Sequence, residues 1–365
     1  MKYPEILGFA DLLPRLAEFD AIIDVRSPAE YAEDHIPGAI NCPVLDNEQR
    51  VRVGTIYKQI GSFEAKKIGA ALIAKNIAQH IETLFLDKPK DWTPLVYCWR
   101  GGNRSGAMAL ILARIGWPVT QLEGGYKNFR GHVNEVLPEL AQRFHWRVIC
   151  GPTGSGKSRL LQTLASSGAQ VLDLEQLAAH RGSVLGSLPS QPQPSQKKFE
   201  SDIWQTLRHF DAGQPVFVEA ESKKVGKLRV PDAIMEAMRK SPCIALRLPA
   251  EQRVQLLMED YAHFIDDTED LNRQLDCLQT LHSKEKIHGW KQLASNGHMH
   301  ELVAELLEKH YDPAYLRSIN RNFIQSANAM LLDQTGISNT DFLSSAETLV
   351  KKEEGSDIAE PAANL

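Results

Sequence analysis

One short loop of the sequence brings a cysteine together with glycines and arginines. Cys98 follows the apolar run PLVY and is followed, in CWRGGNRSG, by Arg100, Gly101, Gly102 and Arg104. A cysteine between a strand and a helix faces backbone N–H groups and the helix dipole, which favour the thiolate. The same groups bind an anion. We therefore predict that Cys98 is a nucleophile beside an anion cradle; an inert buried cysteine is the alternative.

A second loop has the spacing of a phosphate-binding site. GPTGSGKS (151–158) matches G-x-x-x-x-G-K-[ST] in full, between a predicted strand, HWRVIC, and a predicted helix, RLLQTLAS. Its glycines let consecutive N–H groups turn towards an anion, the lysine reaches the outer phosphate and the serine can hold Mg²⁺. The alternative is a glycine-rich turn without a ligand. The predicted diphosphate-binding residues are Gly151, Thr153, Gly154, Ser155, Gly156, Lys157 and Ser158.

Carboxylates that could support this loop follow two predicted strands. VLDLEQL contains Asp173 and Glu175, and VFVEAES contains Glu219 and Glu221, but neither stretch has the plain Walker-B form. We predict that Asp173 or Glu219 acts as a base or holds a metal-bound water, with Mg²⁺ as the fitting ion. The equal alternative is that these carboxylates only bond loop N–H groups. The loop specifies a di- or triphosphate and no particular nucleotide.

Composition limits the class of protein. The 365 residues suffice for two domains, and the net charge of −5 confines any nucleic-acid contact to local patches. The five scattered cysteines form no CxxC pair, which argues against a zinc site or a disulfide framework. No stretch approaches the roughly 20 apolar residues that cross a bilayer, and the N-terminus has no secretory pattern. We expect a cytoplasmic protein without a membrane partner.

Strands alternate with helices in two successive series, which predicts parallel α/β sheets. The first domain is expected over residues 1–138. The P-loop domain, with a helical C-terminal part, is expected over residues 145–343. Residues 344–365 are polar, and we expect them to be disordered. The predicted strands are AIIDVR, PLVYCW, VTQLEGGY, HWRVIC, AQVLDL, PVFVEA and CIALRL.

The first domain resembles the rhodanese family. DVRSPAEYAEDHIPGAIN (24–41), the cysteine loop and LEGGYKNF (122–129) match that family's pattern in order, over about residues 5–135. The resemblance implies a rhodanese-like parallel-sheet fold and a persulfide or perselenide on Cys98. The spacing here is C-x5-R, whereas single-domain rhodaneses usually have C-x4-R. The wider loop admits a larger group and is also found in related phosphatases, so a phosphatase remains an alternative for this domain.

The two domains together resemble the tRNA 2-selenouridine synthase family. The stretches that carry this resemblance are YCWRGGNRSG, RVRVGTIYKQIGSFEAKKIGA, DLEQLAAHRGSVLG and VEAESKKVG. It implies a transferase that attaches a geranyl group from geranyl diphosphate to the sulfur of wobble 2-thiouridine in tRNA. Selenium from selenophosphate then replaces the S-geranyl group. It also implies a selenophosphate supplier as a partner and no bound organic cofactor. The cysteine loop would hold selenophosphate.

Basic residues in this acidic protein concentrate in two places. Residues 50–75 contain six lysines and arginines and one glutamate, a local charge of +5, with Tyr57 and Phe63 among them. Such a segment could contact phosphates and stack on unpaired bases. The alternative for each cluster is a solvated face. The predicted tRNA contacts are Arg50, Arg52, Lys58, Lys66 and Lys67, with Lys223 and Lys224 from the second cluster.

Two other functions are compatible with these motifs. An ATP-dependent sulfurtransferase would pass a persulfide from Cys98 to a carrier protein. A regulatory module would sense a nucleotide at the P-loop and use the cysteine loop only as an anion clamp. Turnover of ATP and binding of geranyl diphosphate distinguish them.

Overall fold

The computed structural model describes residues 3–356, except 184, 189–190, 263 and 265–266. Contacts divide the chain into two units. The first contains Met1–Leu137 and Ser195–Gln205, and the second contains Pro138–Pro194 and Thr206–Leu365. The division falls beside the predicted limit at residue 138. However, the segment Ser195–Gln205 was expected in the P-loop domain and belongs to the first unit.

The segment Ser195–Gln205 joins the first unit because its apolar side chains pack there. The ring of Trp204 lies 5.6 Å from that of Phe129 and 6.0 Å from that of Phe9. Ser201 Oγ donates a hydrogen bond to Asp34 Oδ2 at 2.9 Å. Sequence order alone assigned this segment to the wrong unit.

The first unit is built on a parallel five-stranded sheet with the strand order β1-β5-β4-β2-β3. Its strands are β1 (Glu5–Leu7), β2 (Ala21–Asp24), β3 (Ala39–Asn41), β4 (Pro94–Tyr97) and β5 (Thr120–Leu122). Its α-helices are α1 (Phe9–Leu12), α2 (Pro28–Glu33), α3 (Asn47–Gln59), α4 (Ser62–His80) and α5 (Asn103–Ile115). Helix α6 (Gly125–Arg143) contains the division between the two units.

A buried ion pair orders the loop after β2. Arg26 Nη2 lies 2.6 Å from Asp24 Oδ2, and both side chains are almost fully buried. Arg26 Nη2 also donates to the carbonyl oxygen of Asp34, and its guanidinium lies 4.0 Å from the ring centre of Tyr126. A buried charge needs such partners to offset its lost hydration. This network explains why Asp24, at the end of β2, and Arg26, in the loop after it, can both be buried.

The second unit is built on another parallel five-stranded sheet, with the order β12-β11-β6-β8-β7. The strands of this sheet are β6 (Trp146–Cys150), β7 (Gln170–Leu172), β8 (Val216–Glu219), β11 (Cys243–Arg247) and β12 (Met330–Asp333). A separate antiparallel pair is formed by β9 (Lys224–Val225) and β10 (Leu228–Arg229). The next helices in chain order are α7 (Lys157–Ser166), α8 (Leu174–Leu177), α9 (Gln196–Leu207), α10 (Asp232–Lys240) and α11 (Ala250–Asp260). Most of α9 belongs to the first unit. The C-terminal helices are α12 (Thr268–Asp276), α13 (Lys284–Ser295), α14 (Met299–Leu306), α15 (Asp312–Asn322) and α16 (Asn339–Ser356).

The C-terminal part departs from the prediction in two ways. β12 is an unpredicted strand that pairs with β11, because MLLD is too short to distinguish from a helical segment by its pattern. The disorder predicted from residue 344 is wrong as far as Ser356, because Phe342, Ala346 and Leu349 are buried in the core beside Leu160 of α7. Residues 357–365 lie outside the described residues. Among the described residues, none of the helices combines the length and hydrophobicity needed to span a membrane.

Candidate functional site

The cysteine loop connects the end of β4 to the start of α5. Cys98 is buried, and its Sγ accepts a hydrogen bond from Ser105 Oγ at 3.3 Å. Ser105 Oγ in turn accepts from Gln121 Nε2 at 3.2 Å. Gly102 caps α5 with φ +72°, in the left-handed region where glycine is favoured. The predicted strand–loop–helix geometry is therefore present, and Ser105 and Gln121 are additional polar groups that order the thiol.

The two arginines of this loop have different surroundings. Arg100 is exposed. Arg104 Nη1 lies 2.7 Å from Glu30 Oε2 and its Nη2 donates to Glu30 Oε1 at 3.2 Å. Burial alone would raise the pKa of Glu30, but the hydrogen bonds and charge of Arg104 outweigh it and hold that pKa below its usual value. Arg104 is thus partly neutralised, and sequence reasoning missed Glu30.

The Gly-Gly pair of LEGGYKNF lies directly against the cysteine loop. A Cβ on Gly125 would lie 2.3 Å from the carbonyl oxygen of Cys98, which excludes any side chain there. The next residue, Tyr126, donates its N–H to that same oxygen at 2.8 Å. Glycine is required because the two backbones approach so closely. The start of α6 therefore packs against the backbone of Cys98 and holds it in position.

The P-loop has the expected position between β6 and α7. Gly154 and Gly156 have φ +77° and +88°, so both need the conformational freedom of glycine. Lys157 Nζ donates to the carbonyl oxygen of Gly151 at 2.9 Å, which folds the lysine over the loop. Ser155 Oγ is buried and has no hydrogen-bond partner among the described residues. This loop can offer an anion several N–H groups, an ammonium and a hydroxyl.

Three glutamates converge beside the P-loop. Carboxylate oxygens of Glu175, Glu219 and Glu221 lie within 4.8 Å of one another. Ser158 Oγ donates to Glu175 Oε2 at 3.1 Å, which joins the cluster to the start of α7. Glu219 is buried, and its Oε1 has no hydrogen-bond partner in the described part of the chain. Carboxylates and a serine hydroxyl are oxygen ligands that suit Mg²⁺.

The electrostatics of this cluster favour either protons or a cation. Burial and the neighbouring carboxylate of Glu175 raise the pKa of Glu221 to about 8, although Lys157 opposes the shift. The same causes raise the pKa of Glu219 well above its usual value. Burial also raises the pKa of Glu175. Three buried carboxylates this close cannot all stay ionised without a balancing positive charge.

Asp173 and Glu219, which were predicted to act as a base or to hold a metal, have different surroundings in the structure. Glu219 belongs to the three-glutamate cluster. Asp173 instead caps α8, where its Oδ1 accepts from the N–H of Gln176 at 2.8 Å. This is the helix-capping role of a strand-end carboxylate. Gly182 of the HRGS stretch packs on the cluster, since a Cβ there would lie 2.5 Å from Glu175 Oε1.

The predicted tRNA contacts of the first unit lie on α3 and α4. Arg50, Arg52, Lys58, Lys66 and Lys67 are all exposed. Large apolar side chains are also exposed at and beside the turn between the two helices: Tyr57 of α3 is 59% exposed, Ile60 of the turn 70% and Phe63 of α4 72%. We call these two helices and their turn the basic hairpin. Exposed rings among lysines are the arrangement on which unpaired bases stack.

The second basic cluster is partly neutralised. Lys223 Nζ lies 3.1 Å from Asp232 Oδ1, and Arg229 Nη2 lies 2.9 Å from Asp232 Oδ2. These contacts lower the pKa of Asp232, chiefly through the hydrogen bond from Arg229. Lys224 lies beside them at the exposed edge of β9. This surface offers less net positive charge than the basic hairpin.

Fold and sites together define the class: a rhodanese-like domain followed by a P-loop domain. The models of two families match the chain. A rhodanese-like domain matches residues 9–132, and a tRNA 2-selenouridine synthase AAA domain matches residues 144–284. Both matches agree with the positions of the cysteine loop and the P-loop.

Curated relatives extend the similarity over both domains. A tRNA 2-selenouridine synthase of Nitrosomonas europaea is 37% identical over 268 residues, which cover 72% of this chain and 68% of the relative. One of Sulfurovum sp. is 30% identical over 352 residues, covering 85% and 93%. One of Aeromonas salmonicida is 34% identical over 245 residues, covering 66% and 65%. The chain belongs to the tRNA 2-selenouridine synthase family.

Proposed function

We propose that this chain is a transferase that converts wobble 2-thiouridine of tRNA to 2-selenouridine. The name shared by its relatives supports an enzyme that acts on tRNA. One observation carries the proposal: a single chain combines a buried cysteine at an anion loop with a complete P-loop. The first loop suits a selenium donor that is itself an anion, and the second suits a diphosphate leaving group.

In the first proposed step, geranyl diphosphate binds at the P-loop. The sulfur of 2-thiouridine bonds to the first carbon of the geranyl chain while the carbon–oxygen bond to diphosphate breaks. The base loses its N3 proton, and diphosphate departs. Lys157 and the loop N–H groups stabilise the charge that develops on the diphosphate. Ser158 and the three-glutamate cluster of Glu175, Glu219 and Glu221 would hold Mg²⁺, which when bound would supply further neutralisation of the phosphate oxygens.

In the second proposed step, selenophosphate binds at the cysteine loop. Selenium bonds to C2 of the base, and the geranyl thiolate leaves; water then cleaves the phosphorus–selenium bond and releases phosphate. Gly101, Gly102 and Arg100 hold the anion, and Arg104 adds less positive charge because it is paired with Glu30. Cys98 lies at the selenophosphate site, and Ser105 orients its sulfur; this transfer passes selenium directly to the base without a bond to Cys98. Alkylation in the first step supports this order, since a thioether sulfur leaves more readily than a thiocarbonyl sulfur.

The partners follow from this chemistry. The tRNA would contact the basic hairpin of α3 and α4, with phosphates at its lysines and arginines and an unpaired base on Tyr57 or Phe63. A selenophosphate supplier is required, and no organic cofactor is. Both tRNA and selenophosphate are cytoplasmic substrates in this proposal.

Two variants separate the proposed steps. Lys157→Ala should abolish S-geranyl formation, because it removes the ammonium beside the leaving diphosphate. Cys98→Ala should leave geranylation intact and block selenium incorporation. Mass spectrometry of the wobble nucleoside after incubation with geranyl diphosphate and selenophosphate measures both products. Lys240→Ala and Cys277→Ala, at exposed positions of the second unit, are the matched controls.

Three results would contradict the proposal. Absence of both nucleoside products with the unmodified protein would reject the reaction. Loss of both steps in folded Cys98→Ala would reject the division of labour between the two loops. ATP turnover without binding of geranyl diphosphate would favour the sulfurtransferase instead.

A further inference from the structure

The second unit contains an apolar cavity beside the P-loop. Its empty volume is about 590 Å³, including the open mouth. Of the fourteen described residues that line it, ten are Leu, Val, Met or Phe. The cavity therefore suits a hydrocarbon and offers little to a polar guest.

The cavity and the P-loop share a wall. Thr153, the third residue of GPTGSGKS, lines the cavity. Leu257 of α11 also lines it, and a Cβ on Gly154 would lie 2.9 Å from Leu257 Cδ1. The loop backbone thus packs directly on an apolar cavity residue. A ligand bound at the loop has an apolar space next to it.

Among the described residues that line the cavity, the polar side chains carry hydroxyls, and none is Asp, Glu, Lys, Arg or His. They belong to Thr153, Ser183, Tyr261 and Tyr311. Burial raises the pKa of both tyrosines, so each is neutral near pH 7. The guanidinium of Arg181 lies outside the lining, 4.6 Å from the ring centre of Tyr261. The described part of the lining is therefore uncharged, although Arg181 lies next to one of its tyrosines.

We propose that this cavity holds the hydrocarbon chain of an allylic diphosphate whose diphosphate group is bound by the P-loop. This assignment rests on the proposed geranyl transfer and adds the place and length selectivity of the chain. A nucleotide fits less well, because its sugar and base would leave polar groups unpaired against apolar walls. Val303 and Met299 of α14 limit the cavity and set the length of chain that it accepts.

The length dependence of binding tests the assignment. Calorimetry on the full chain should compare inorganic pyrophosphate with dimethylallyl, geranyl and farnesyl diphosphates. Each buried methylene is worth about fourfold in affinity, so geranyl diphosphate should bind at least roughly tenfold more tightly than dimethylallyl diphosphate. Val303→Phe fills the cavity and should cost geranyl diphosphate at least roughly tenfold while leaving pyrophosphate binding unchanged.

Two further variants make the result specific. Leu316→Phe, at a 57% exposed position of α15 outside the lining, should change neither affinity. Met299→Ala enlarges the cavity and should shift the preference towards farnesyl diphosphate. If Val303→Phe weakens pyrophosphate binding or fails to fold, the chain-length preference of Met299→Ala tests the cavity assignment instead.

The outcomes distinguish this assignment from the proposed function. Equal affinities for five- and ten-carbon diphosphates, equal losses in Val303→Phe and Leu316→Phe, or an unchanged preference in Met299→Ala would overturn the cavity assignment alone. Geranyl transfer would then persist with its chain bound elsewhere. Failure of the wild-type protein to bind any allylic diphosphate would overturn both proposals.

Discussion

Removal of one carboxylate from the three-glutamate cluster should change how stability depends on pH. Glu221 has a folded-state pKa of about 8 against an ordinary value of 4.5, because it is buried beside Glu175. Between these two values the folded protein keeps a proton that the unfolded chain has lost. Its contribution to stability is therefore complete below about pH 4.5 and is lost progressively as pH rises to about 8.

The size of the pH effect on stability follows from the single proton that folded Glu221 retains. Within this window Glu221 lowers the free energy of unfolding by about 1.4 kcal/mol per pH unit. Glu221→Gln removes that proton difference and keeps the shape of the side chain. Between pH 6 and 7.5 the wild-type protein should lose about 2 kcal/mol more than the variant. Glu219 and Glu175 remain in both proteins, so only the difference between the slopes is predicted.

Hydrogen exchange provides the measurement. The most protected amides of β6 and β8 report the opening free energy of the second sheet without requiring the two units to unfold together. Rates are compared in metal-free buffer after correction for the intrinsic pH dependence of exchange. Glu236→Gln, at an exposed position of α10, is the matched control and should follow the wild type.

Addition of Mg²⁺ supplies an independent check. At pH 7.5 it should stabilise the wild type more than Glu221→Gln, since a cation bound by the carboxylates favours the folded state.

Identical pH slopes for Glu221→Gln and the wild type would refute the reasoning. So would a steeper slope in the variant.

Two further predictions concern the first unit. Gly125→Ala places a methyl group 2.3 Å from the carbonyl oxygen of Cys98, at a residue whose φ is +55°. Thermal unfolding should therefore show a destabilisation of several kcal/mol, or the variant should not fold. An unchanged melting temperature would contradict the close approach of the two backbones. Phe63→Ala should weaken binding of unmodified tRNA by about 1–3 kcal/mol if a base stacks on the ring. Leu86→Ala, which is 73% exposed but outside the basic hairpin, should have no effect, and equal losses would indicate a nonspecific apolar contribution.

Local pattern predicted most of the sheet framework. The runs AIIDVR, PLVYCW, HWRVIC and PVFVEA became β2, β4, β6 and β8, because buried parallel strands read as continuous β-branched and apolar runs. The P-loop spacing likewise predicted its own surroundings, since glycines with positive φ and a following helix are local requirements. The C-terminal helix α16 was missed because polar residues dominate its composition, although Phe342, Ala346 and Leu349 recur at the helical spacing i, i+4 and i+7. Only their shared face shows that they reach a core.

The carboxylates show where local pattern stops. Glu219 ends β8, whereas Asp173 directly follows β7 as the N-cap of α8. The sequence predicted the same role for both. Asp173 caps α8, whereas the fold brings Glu219 and Glu221, at and just after the end of β8, to Glu175 of α8. Glu30 reaches Arg104 across 74 residues in the same manner.

The sequence by itself determined the groups whose function depends on near neighbours: the cysteine loop, the P-loop and the basic hairpin of α3 and α4. Tertiary structure alone decided which carboxylates form a cluster, which arginine is neutralised, and that an apolar cavity adjoins the P-loop. The physical reason is that a loop's backbone conformation is encoded within a few residues. Charge pairing, burial and cavity shape arise where chain segments distant in sequence pack together.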